Sequence, residues 1–277
     1  MTSRFRGSAD TDIRSDGMKP HPFEGEGLTH EQTLRFWDNY AEKYSGFQQG
    51  DIPDQIIDRL FDIGLLETGC SVLELGSGPG TYSLRMAPRI GSLSCLDASA
   101  NMLRRLKGYA DERGLTNIEY LNMDWNGFSS TRSHDVAIAT LCPGAGTPKA
   151  LGLMERAARR GCVLVSWIVN HGDDLNEMVW KGLGKDYGYD MRNSSPGEEW
   201  LRENGRDPVT ETFEARIVAD IPLEELVAKE RKAFETYGYG EEAERIARDI
   251  LEPVSENGLV RYDEMNRMRM VRWTPPS

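Results

Sequence analysis

Apolar and polar positions change their period repeatedly along this chain, and the changes divide it into short segments. One set of segments is apolar and rich in β-branched or aromatic residues, which is typical of strands. These segments are 70–75, 92–97, 118–124, 135–141, 161–169, 209–221 and 267–273. Segments of a second set carry apolar residues at helical spacing and are predicted helices. They are 28–44, 54–66, 81–90, 99–114, 147–160, 223–238 and 241–252.

Residues at the ends of these segments support the predicted helices. Ser99 is a typical N-cap and Gly114 a typical stop, while Thr147 precedes Pro148 at a predicted first turn. Strands that alternate with helices, and that are almost continuously apolar, indicate a parallel sheet covered on both faces. We therefore expect an α/β fold with right-handed crossovers.

The alternation breaks between residues 170 and 207, where glycine, asparagine, aspartate and aromatic residues follow no clear period. This segment lies between two predicted strands of one sheet, so we interpret it as an insertion or cap on the substrate side. The first 27 residues are polar and punctuated by glycine and proline, which predicts a flexible arm. Residues 28–277 then form the folded domain.

The amino-acid composition limits the classes of function and the cellular locations to be considered. The 33 Lys and Arg against 45 Asp and Glu give a net charge of −12, which argues against nonspecific nucleic-acid binding. The four cysteines form no CxxC pair, so neither a zinc site nor a redox motif is indicated. The N-terminus has no apolar core typical of a signal peptide, and no apolar run has the length of a membrane span. We expect a cytoplasmic protein.

A glycine-rich turn follows the first predicted strand, in "VLELGSGPGTY" at residues 72–82. In open parallel sheets, ligands bind beyond the carboxyl ends of the strands. Glycines let the backbone turn sharply there and let a ligand approach it closely. Dinucleotide-binding turns read G-x-G-x-x-G, but the sixth position here is Thr81. The observed spacing is G-x-G-x-G, preceded by Glu74.

This acid-led glycine turn resembles the first motif of the class I S-adenosylmethionine-dependent methyltransferases. Two acids downstream agree with the resemblance: Asp97 ends the second predicted strand and Asp124 the third. The family implies a Rossmann-like sheet of seven strands, mostly parallel, with the last strand antiparallel. It also implies that Asp97 accepts hydrogen bonds from the ribose diol and Asp124 from the adenine amino group. Further implied cofactor contacts are Glu74, Gly76, Ser77, Gly78, Gly80, Ala98, Met102 and Trp125, with S-adenosylmethionine as cofactor and S-adenosylhomocysteine as product.

The stretch "WDNYAEKY" at residues 37–44 is similar to a W-[DN]-x-x-A-x-x-Y helix of small-molecule members related to quinone and sterol methylases. In those proteins the helix folds over the methionine end of the cofactor. Tyr40 and Tyr44 are thus candidate cofactor contacts, and Trp37 is a candidate substrate contact. Packing of an amphipathic helix on the core is the alternative. Trp180 and Tyr187 in the insertion are candidate substrate contacts or, alternatively, the core of a structural cap.

The loop after the fourth predicted strand should border the reacting methyl group. Family members that methylate nucleic-acid or protein nitrogens resemble one another in an Asn/Asp-Pro-Pro-aromatic motif there, whereas this chain has "CPGA" at residues 142–145. Cys142 and His171 are candidate catalytic residues, although a buried thiol and a loop histidine without a role are the simpler interpretations. No metal site is expected.

These patterns favour transfer of a methyl group to a small-molecule acceptor by in-line displacement. A protein or tRNA methyltransferase is a second hypothesis, and the acidic charge and the absent motif argue against it. A nicotinamide oxidoreductase is disfavoured by Thr81. A non-catalytic subunit that binds S-adenosylmethionine and acts with a partner is the hypothesis from a different class.

Overall fold

A computed structural model shows an α/β fold built on one sheet. It describes residues 34–35, 37–38, 41, 49–168, 175–185, 196–235 and 237–276. The predicted arm, residues 1–27, lies outside the described residues. So do four candidate site residues, namely Tyr40, Tyr44, His171 and Tyr187.

The sheet contains eight strands in the described part of the chain. They are β1 (Ser71–Leu75), β2 (Ser92–Asp97), β3 (Ile118–Asn122), β4 (His134–Thr140), β5 (Ala158–Ile168), β6 (Val209–Pro222), β7 (Ser255–Glu256) and β8 (Leu259–Trp273). The order is β3-β2-β1-β4-β5-β8-β6, and β7 pairs with β8 outside that path. The expected mostly parallel sheet is confirmed, and the two-residue β7 is an addition to the expected seven strands.

The direction of the strands also agrees with expectation. The core strands β1 to β5 pair in parallel, with Leu75 opposite Leu96 at the carboxyl end of the β1–β2 pair. β8 is antiparallel to both of its long neighbours, β5 and β6. Since the carboxyl ends of parallel strands share one edge, the ends of β1, β2, β3 and β4 converge there.

Eight α-helices surround the sheet in the described residues. They are α1 (Ile52–Asp62), α2 (Ser83–Met86), α3 (Ala100–Glu112), α4 (Pro148–Ala157), α5 (Leu175–Gly182), α6 (Pro196–Glu203), α7 (Leu223–Glu235) and α8 (Gly240–Leu251). The N-cap predictions are confirmed, because the hydroxyls of Ser99 and Thr147 accept hydrogen bonds from backbone N–H groups of α3 and α4. Within the described ranges, no helix has the length and apolarity to cross a membrane.

Several predicted helices end earlier in the structure than expected, including 54–66, which ends at Asp62, and 223–238, which ends at Glu235. The segment 81–90 forms one α-helical turn, Ser83–Met86, followed by a 3-10 turn. Pro88 has no backbone N–H to continue an α-helix, which explains the change. The segment 147–160 stops being helical at Ala157, because Ala158 already pairs with His134 in the sheet.

The sheet is covered on both faces by separate apolar clusters. On one face, α1, α2 and α3 pack on the even-numbered side chains of β1 and β4, such as Val72 and Val136. On the other face, α4 and α6 pack on the odd-numbered ones, such as Leu73 and Ala137. The near-continuous apolar character of these strands follows from this double coverage.

A third apolar cluster forms a helical cap made of α5, α7 and α8, and it includes Val260 of β8. The β6–β8 ribbon joins the cap, because residues 259–266 of β8 pair with β6 beyond the last pair between β5 and β8. Segment 170–207 therefore contributes to two cores. Its helix α5 packs in the cap, whereas Leu201 of α6 is buried against the sheet.

Candidate functional site

The glycine turn leaves the carboxyl end of β1 in a left-handed conformation. Gly76, Gly78 and Gly80 have φ angles of 66°, 52° and 94°, a region that side chains rarely adopt. A Cβ on Gly76 would lie 2.7 Å from the Cβ of Cys142, so this glycine permits contact between two loops. A Cβ on Gly78 would meet no atom within 4 Å among the described residues. The turn is thus packed at Gly76 and open at Gly78.

Asp97 ends β2 beside this turn and is bonded to it directly. Its Oδ2 accepts a hydrogen bond from the Gly78 N–H at 2.8 Å, and its Oδ1 accepts one from the Ser99 N–H at 2.8 Å. Burial raises the pKa of the Asp97 carboxyl, and these two backbone hydrogen bonds oppose the rise. The predicted ribose-binding acid and the open glycine are therefore neighbours in one cradle.

The loop that carries Asp97 is also held from β3. The Asn122 side chain donates from Nδ2 to the backbone oxygens of Asp97, at 3.1 Å, and of Ala98, at 3.0 Å. Met102 follows in the first turn of α3 and is buried, with 2% of its surface exposed. Ser77 is buried in the turn, and its hydroxyl has no hydrogen-bond partner in the described part of the chain.

Asp124 and Trp125 lie at the end of β3, on the neighbouring part of the same edge. Asp124 caps a short 3-10 turn, since its Oδ1 accepts hydrogen bonds from the Asn126 N–H at 2.7 Å and from the Asn126 Nδ2 at 2.6 Å. Trp125 is half-buried, and a Cβ on Gly144 would lie 3.8 Å from its ring. The indole thus meets the loop after β4, as expected for a side chain bordering the site.

Glu74, the acid before the glycines, is fully buried at the end of β1. Its Oε1 accepts a hydrogen bond from Thr140 Oγ1 at 3.0 Å, and its Oε2 accepts one from Ser83 Oγ. Burial raises the pKa of this carboxyl to about 7, while the two hydroxyls oppose the rise. Glu74 therefore joins β1, β4 and α2 beneath the turn. Contact with a cofactor stays a prediction for this residue.

Cys142 lies where the loop after β4 meets the glycine turn. Burial raises the pKa of its thiol to about 12, and the carboxylates of Asp97, Glu74 and Asp124 add to the rise. The thiol is therefore protonated at neutral pH, and thiolate is the form that attacks as a nucleophile. The structure favours the simpler interpretation of Cys142, a neutral packing residue, although its side chain is half-buried and not fully enclosed.

Trp180 was a candidate substrate contact, but the structure places it in the core of the cap. Only 4% of its surface is exposed. Its ring centroid lies 4.7 Å from that of Phe234 and 5.0 Å from that of Tyr237. The alternative interpretation, a structural role in the cap, is the one that this packing supports. Trp37 is half-buried and helical, as the N-terminal pattern predicts.

Four polar residues of the site were not singled out from the sequence. They are Asp38, Ser83, Asn122 and Thr140. Asn122 and Thr140 lie near the carboxyl ends of predicted strands, and this position indicates the expected edge of the sheet. Asp38 lies inside the stretch "WDNYAEKY", and its contacts with Ser99 and Asn101 join segments that no local pattern links.

A comparison with protein families gives the same result as the geometry. Residues 72–161 match the family described as a methyltransferase domain. This part of the chain is similar to methyltransferase domains. The matched segment runs from β1 into β5 and includes the glycine turn, Asp97 and Asp124. The resemblance stated from the sequence is therefore confirmed over this segment.

The chain also has a relative among curated proteins. Aklanonic acid methyltransferase DauC from a Streptomyces species is 34% identical over 105 residues. The match covers 36% of this chain and 47% of the Streptomyces protein. The chain thus spans about half the length of that relative.

Solved structures share the fold at low sequence identity. YjhP from E. coli superposes with a TM-score of 0.56 at 15% identity, covering 87% of this chain and 99% of that one. A phosphoethanolamine N-methyltransferase 2 from Haemonchus contortus, in complex with phosphomonomethylethanolamine and S-adenosylhomocysteine, gives a TM-score of 0.52 at 16% identity. It covers 90% of this chain and 58% of that one. These similarities show that the chain shares its fold with YjhP and with the Haemonchus methyltransferase.

Proposed function

We propose that this protein is an S-adenosylmethionine-dependent methyltransferase that acts on a small-molecule acceptor. One observation carries the proposal. The Gly78 N–H is bonded to the Asp97 carboxylate, while the space over the Gly78 α-carbon is open. A backbone turn without side chains and a carboxylate that ends the next strand are thus held together at the carboxyl edge of the sheet. This is where open α/β sheets bind nucleoside ligands.

The residues of this cradle fit the proposed cofactor. A carboxylate oxygen has two lone-pair sites, so each Asp97 oxygen can accept a second hydrogen bond from a ribose hydroxyl. The unpartnered Ser77 hydroxyl is a further polar group in the turn. Trp125 supplies apolar surface suited to a purine ring, and Asp124 supplies an acceptor for its amino group. Contact with Met102, whose side chain is buried, stays a prediction. The Haemonchus methyltransferase, which shares this fold, holds S-adenosylhomocysteine.

The proposed cofactor, when bound, supplies a methyl group on a positively charged sulfur together with its leaving group. The protein then has to align the acceptor with that methyl group and to exclude water, which is where the rate enhancement arises. The protonated thiol of Cys142 can border the acceptor as a neutral surface. We assign no general base among the described residues, and His171 stays a candidate from the sequence.

The small-molecule acceptor is supported by the Streptomyces relative, which is named for the methylation of an acid. The net charge of −12 also disfavours a polyanionic acceptor. The helical cap is the part of the chain placed to contribute to acceptor binding, because the extended ribbon carries it beyond the carboxyl edge of β5. We propose that its surface, rather than its aromatic core, faces the acceptor.

Two measurements test the function. Titration calorimetry should show binding of S-adenosylmethionine and S-adenosylhomocysteine in the micromolar range, about −8 kcal/mol, and no binding of NAD. Incubation with labelled S-adenosylmethionine and a set of small organic acids, phenols and amines should then release S-adenosylhomocysteine with one acceptor class. Absence of cofactor binding would refute the proposal. Tight binding without transfer to any acceptor would favour the non-catalytic subunit instead.

A further inference from the structure

The N-terminal helix segment contacts the cofactor cradle through a residue that no motif assigns. The Oδ1 of Asp38 accepts a hydrogen bond from Ser99 Oγ at 2.5 Å and one from the Asn101 N–H at 3.3 Å. In return, Asn101 Nδ2 donates to the backbone oxygen of Asp38 at 3.1 Å. Three hydrogen bonds therefore join two segments that lie about sixty residues apart in the sequence.

The position of this contact matters because Ser99 makes two further hydrogen bonds. Its N–H is one of the two backbone donors to the Asp97 carboxylate. Its hydroxyl accepts a hydrogen bond from the Met102 N–H at 3.2 Å and so caps α3. A single residue thus links Asp38 to the predicted ribose acceptor, Asp97, and to the predicted adenine contact, Met102.

The N-terminus of α3 has a reason to hold a carboxylate. The first turn of α3 contains no acidic residue of its own. Free backbone N–H groups and the helix dipole favour a negative charge at this end of a helix. Asp38 supplies that charge from a distant part of the chain. A second contact one turn along α3 fixes the same two segments, since Arg105 donates to the backbone oxygen of Ala41.

We propose that Asp38 is a positioning residue that orients the Asp97 loop for cofactor binding by holding Ser99. This inference rests on the proposed cofactor site. Asp38 acts through its hydrogen bonds and not by touching the cofactor. The Asp97 loop is then held from three sides: by Gly78, which donates to the carboxylate, by Asn122, which donates to the Asp97 backbone oxygen, and by Asp38 through Ser99.

A double-mutant cycle separates this role from a general effect on folding. We expect Asp38→Ala to weaken S-adenosylhomocysteine binding about tenfold, and Asp97→Asn to weaken it more. If Asp38 acts through Asp97, the double variant should bind no more weakly than Asp97→Asn alone, because coupled residues are not additive. Independent effects would multiply the two losses and would overturn the proposal.

Conservative and matched variants complete the cycle. Asp38→Asn keeps an oxygen that can accept the Ser99 and Asn101 hydrogen bonds and should restore most of the affinity. Asp111→Ala removes the same side chain from the exposed far end of α3, where Asp111 pairs with Lys107, and should leave the affinity unchanged. Should Asp38→Ala fail to fold, Asn101→Ala removes a bond of the same contact and should weaken binding in the same direction. A loss with Asp111→Ala equal to that with Asp38→Ala would refute the positioning role.

Hydrogen exchange gives a readout that needs no cofactor. In the unliganded protein, the amides of Ser99, Asn101 and Met102 should exchange faster in Asp38→Ala than in wild type or Asp111→Ala. Unchanged exchange would overturn the proposal even if the wild-type protein binds the cofactor. If the wild-type protein binds no S-adenosylhomocysteine, the proposed function fails, and the exchange data alone decide whether Asp38 orders the loop.

Discussion

Thr140 Oγ1 donates a hydrogen bond of 3.0 Å to Glu74 Oε1 between two neighbouring strands of the sheet. Glu74 lies in β1 and Thr140 at the end of β4, and both side chains are buried. Ser83 of α2 holds the other carboxylate oxygen. A titratable group is thus enclosed directly below the glycine turn, with hydroxyl partners that can serve both its charged and its neutral form.

The stability of the protein should depend on the protonation of Glu74. The folded-state pKa of about 7 exceeds the ordinary value of 4.5. The folded state therefore binds a proton that the unfolded state has lost, and the free energy of unfolding should fall as pH rises from about 4.5 to about 7. Asp97, whose pKa is also raised, acts in the same direction.

The Glu74→Gln variant measures how much of the pH dependence of the unfolding free energy comes from Glu74. Denaturant unfolding between pH 5 and pH 7.5 should show a smaller loss of stability in Glu74→Gln than in wild type, by about 1–3 kcal/mol at roughly 1.4 kcal/mol per pKa unit. Asp135 does not interfere, because its pKa is lowered to about 2, outside this window. Identical pH profiles would show that the Glu74 charge is already compensated in the folded state.

Thr140 offers a direct test of the hydrogen bond. Replacement by valine keeps the shape but leaves one oxygen of a buried carboxyl without its donor, so it should cost about 1–3 kcal/mol in unfolding free energy. Thr140→Ser retains the hydroxyl and is the matched control, with a smaller cost from the lost methyl group. Equal stability of the valine and serine variants would show that the hydroxyl contributes nothing.

Two glycines of the turn should respond differently to the same change. Gly76 and Gly78 have similar positive φ angles, so alanine strains both backbones by about 1 kcal/mol or more. At Gly76 the new methyl group would also overlap Cys142, whereas at Gly78 it would enter open space. Gly76→Ala should therefore lower the melting temperature more. Gly78→Ala should weaken S-adenosylhomocysteine binding by about tenfold or more, about 1.4 kcal/mol, with the smaller loss of stability.

If Gly76→Ala instead caused the larger loss of binding and Gly78→Ala the larger loss of stability, the ligand would bind elsewhere. Calorimetry measures the affinity of each variant and thermal unfolding measures its stability, so the two effects are determined separately. The larger Gly78→Val change should abolish binding while the chain still folds.

Trp180 should act on the stability of the cap. Trp180→Ala removes a buried indole that packs on Phe234 and Tyr237, and should cost about 3–5 kcal/mol in unfolding free energy. Trp180→Phe keeps much of the packing and should cost less. Cofactor affinity of the folded fraction should stay within about threefold, less than 1 kcal/mol. A selective loss of turnover without loss of stability would restore the substrate-contact interpretation.

The sequence predicted the sheet well because its signals are local and repeated. The apolar runs of β1, β2, β4 and β5 reflect burial on both faces, and the caps Ser99 and Thr147 mark helix starts that tertiary packing did not override. The glycine turn and Asp97 lie together at the carboxyl edge where the sequence predicts them, and their contact with a cofactor stays a prediction.

The parts that sequence reasoning missed depend on contacts between distant segments. Nothing near Asp38 reveals that it meets Ser99, and nothing near Trp180 reveals that Phe234 and Tyr237 surround it. Aromatic residues that line a substrate site and aromatic residues that form a small core give the same composition in the sequence. Only the packing of α5 against α7 and α8 distinguishes the core from a substrate site.

The place of β8 in the sheet bears on how the chain reaches its native state during synthesis. β8 lies between β5 and β6 and supplies the pairing of β6 along its full length. Until the ribosome has released this late strand, β6 has no partner in the described sheet, and the edge of β5 is uncovered. The parallel half with the cofactor cradle can assemble early, whereas the ribbon and its cap must wait. Completion of the sheet therefore waits for β8, and a nascent chain that stalls before residue 259 exposes two strand edges to aggregation.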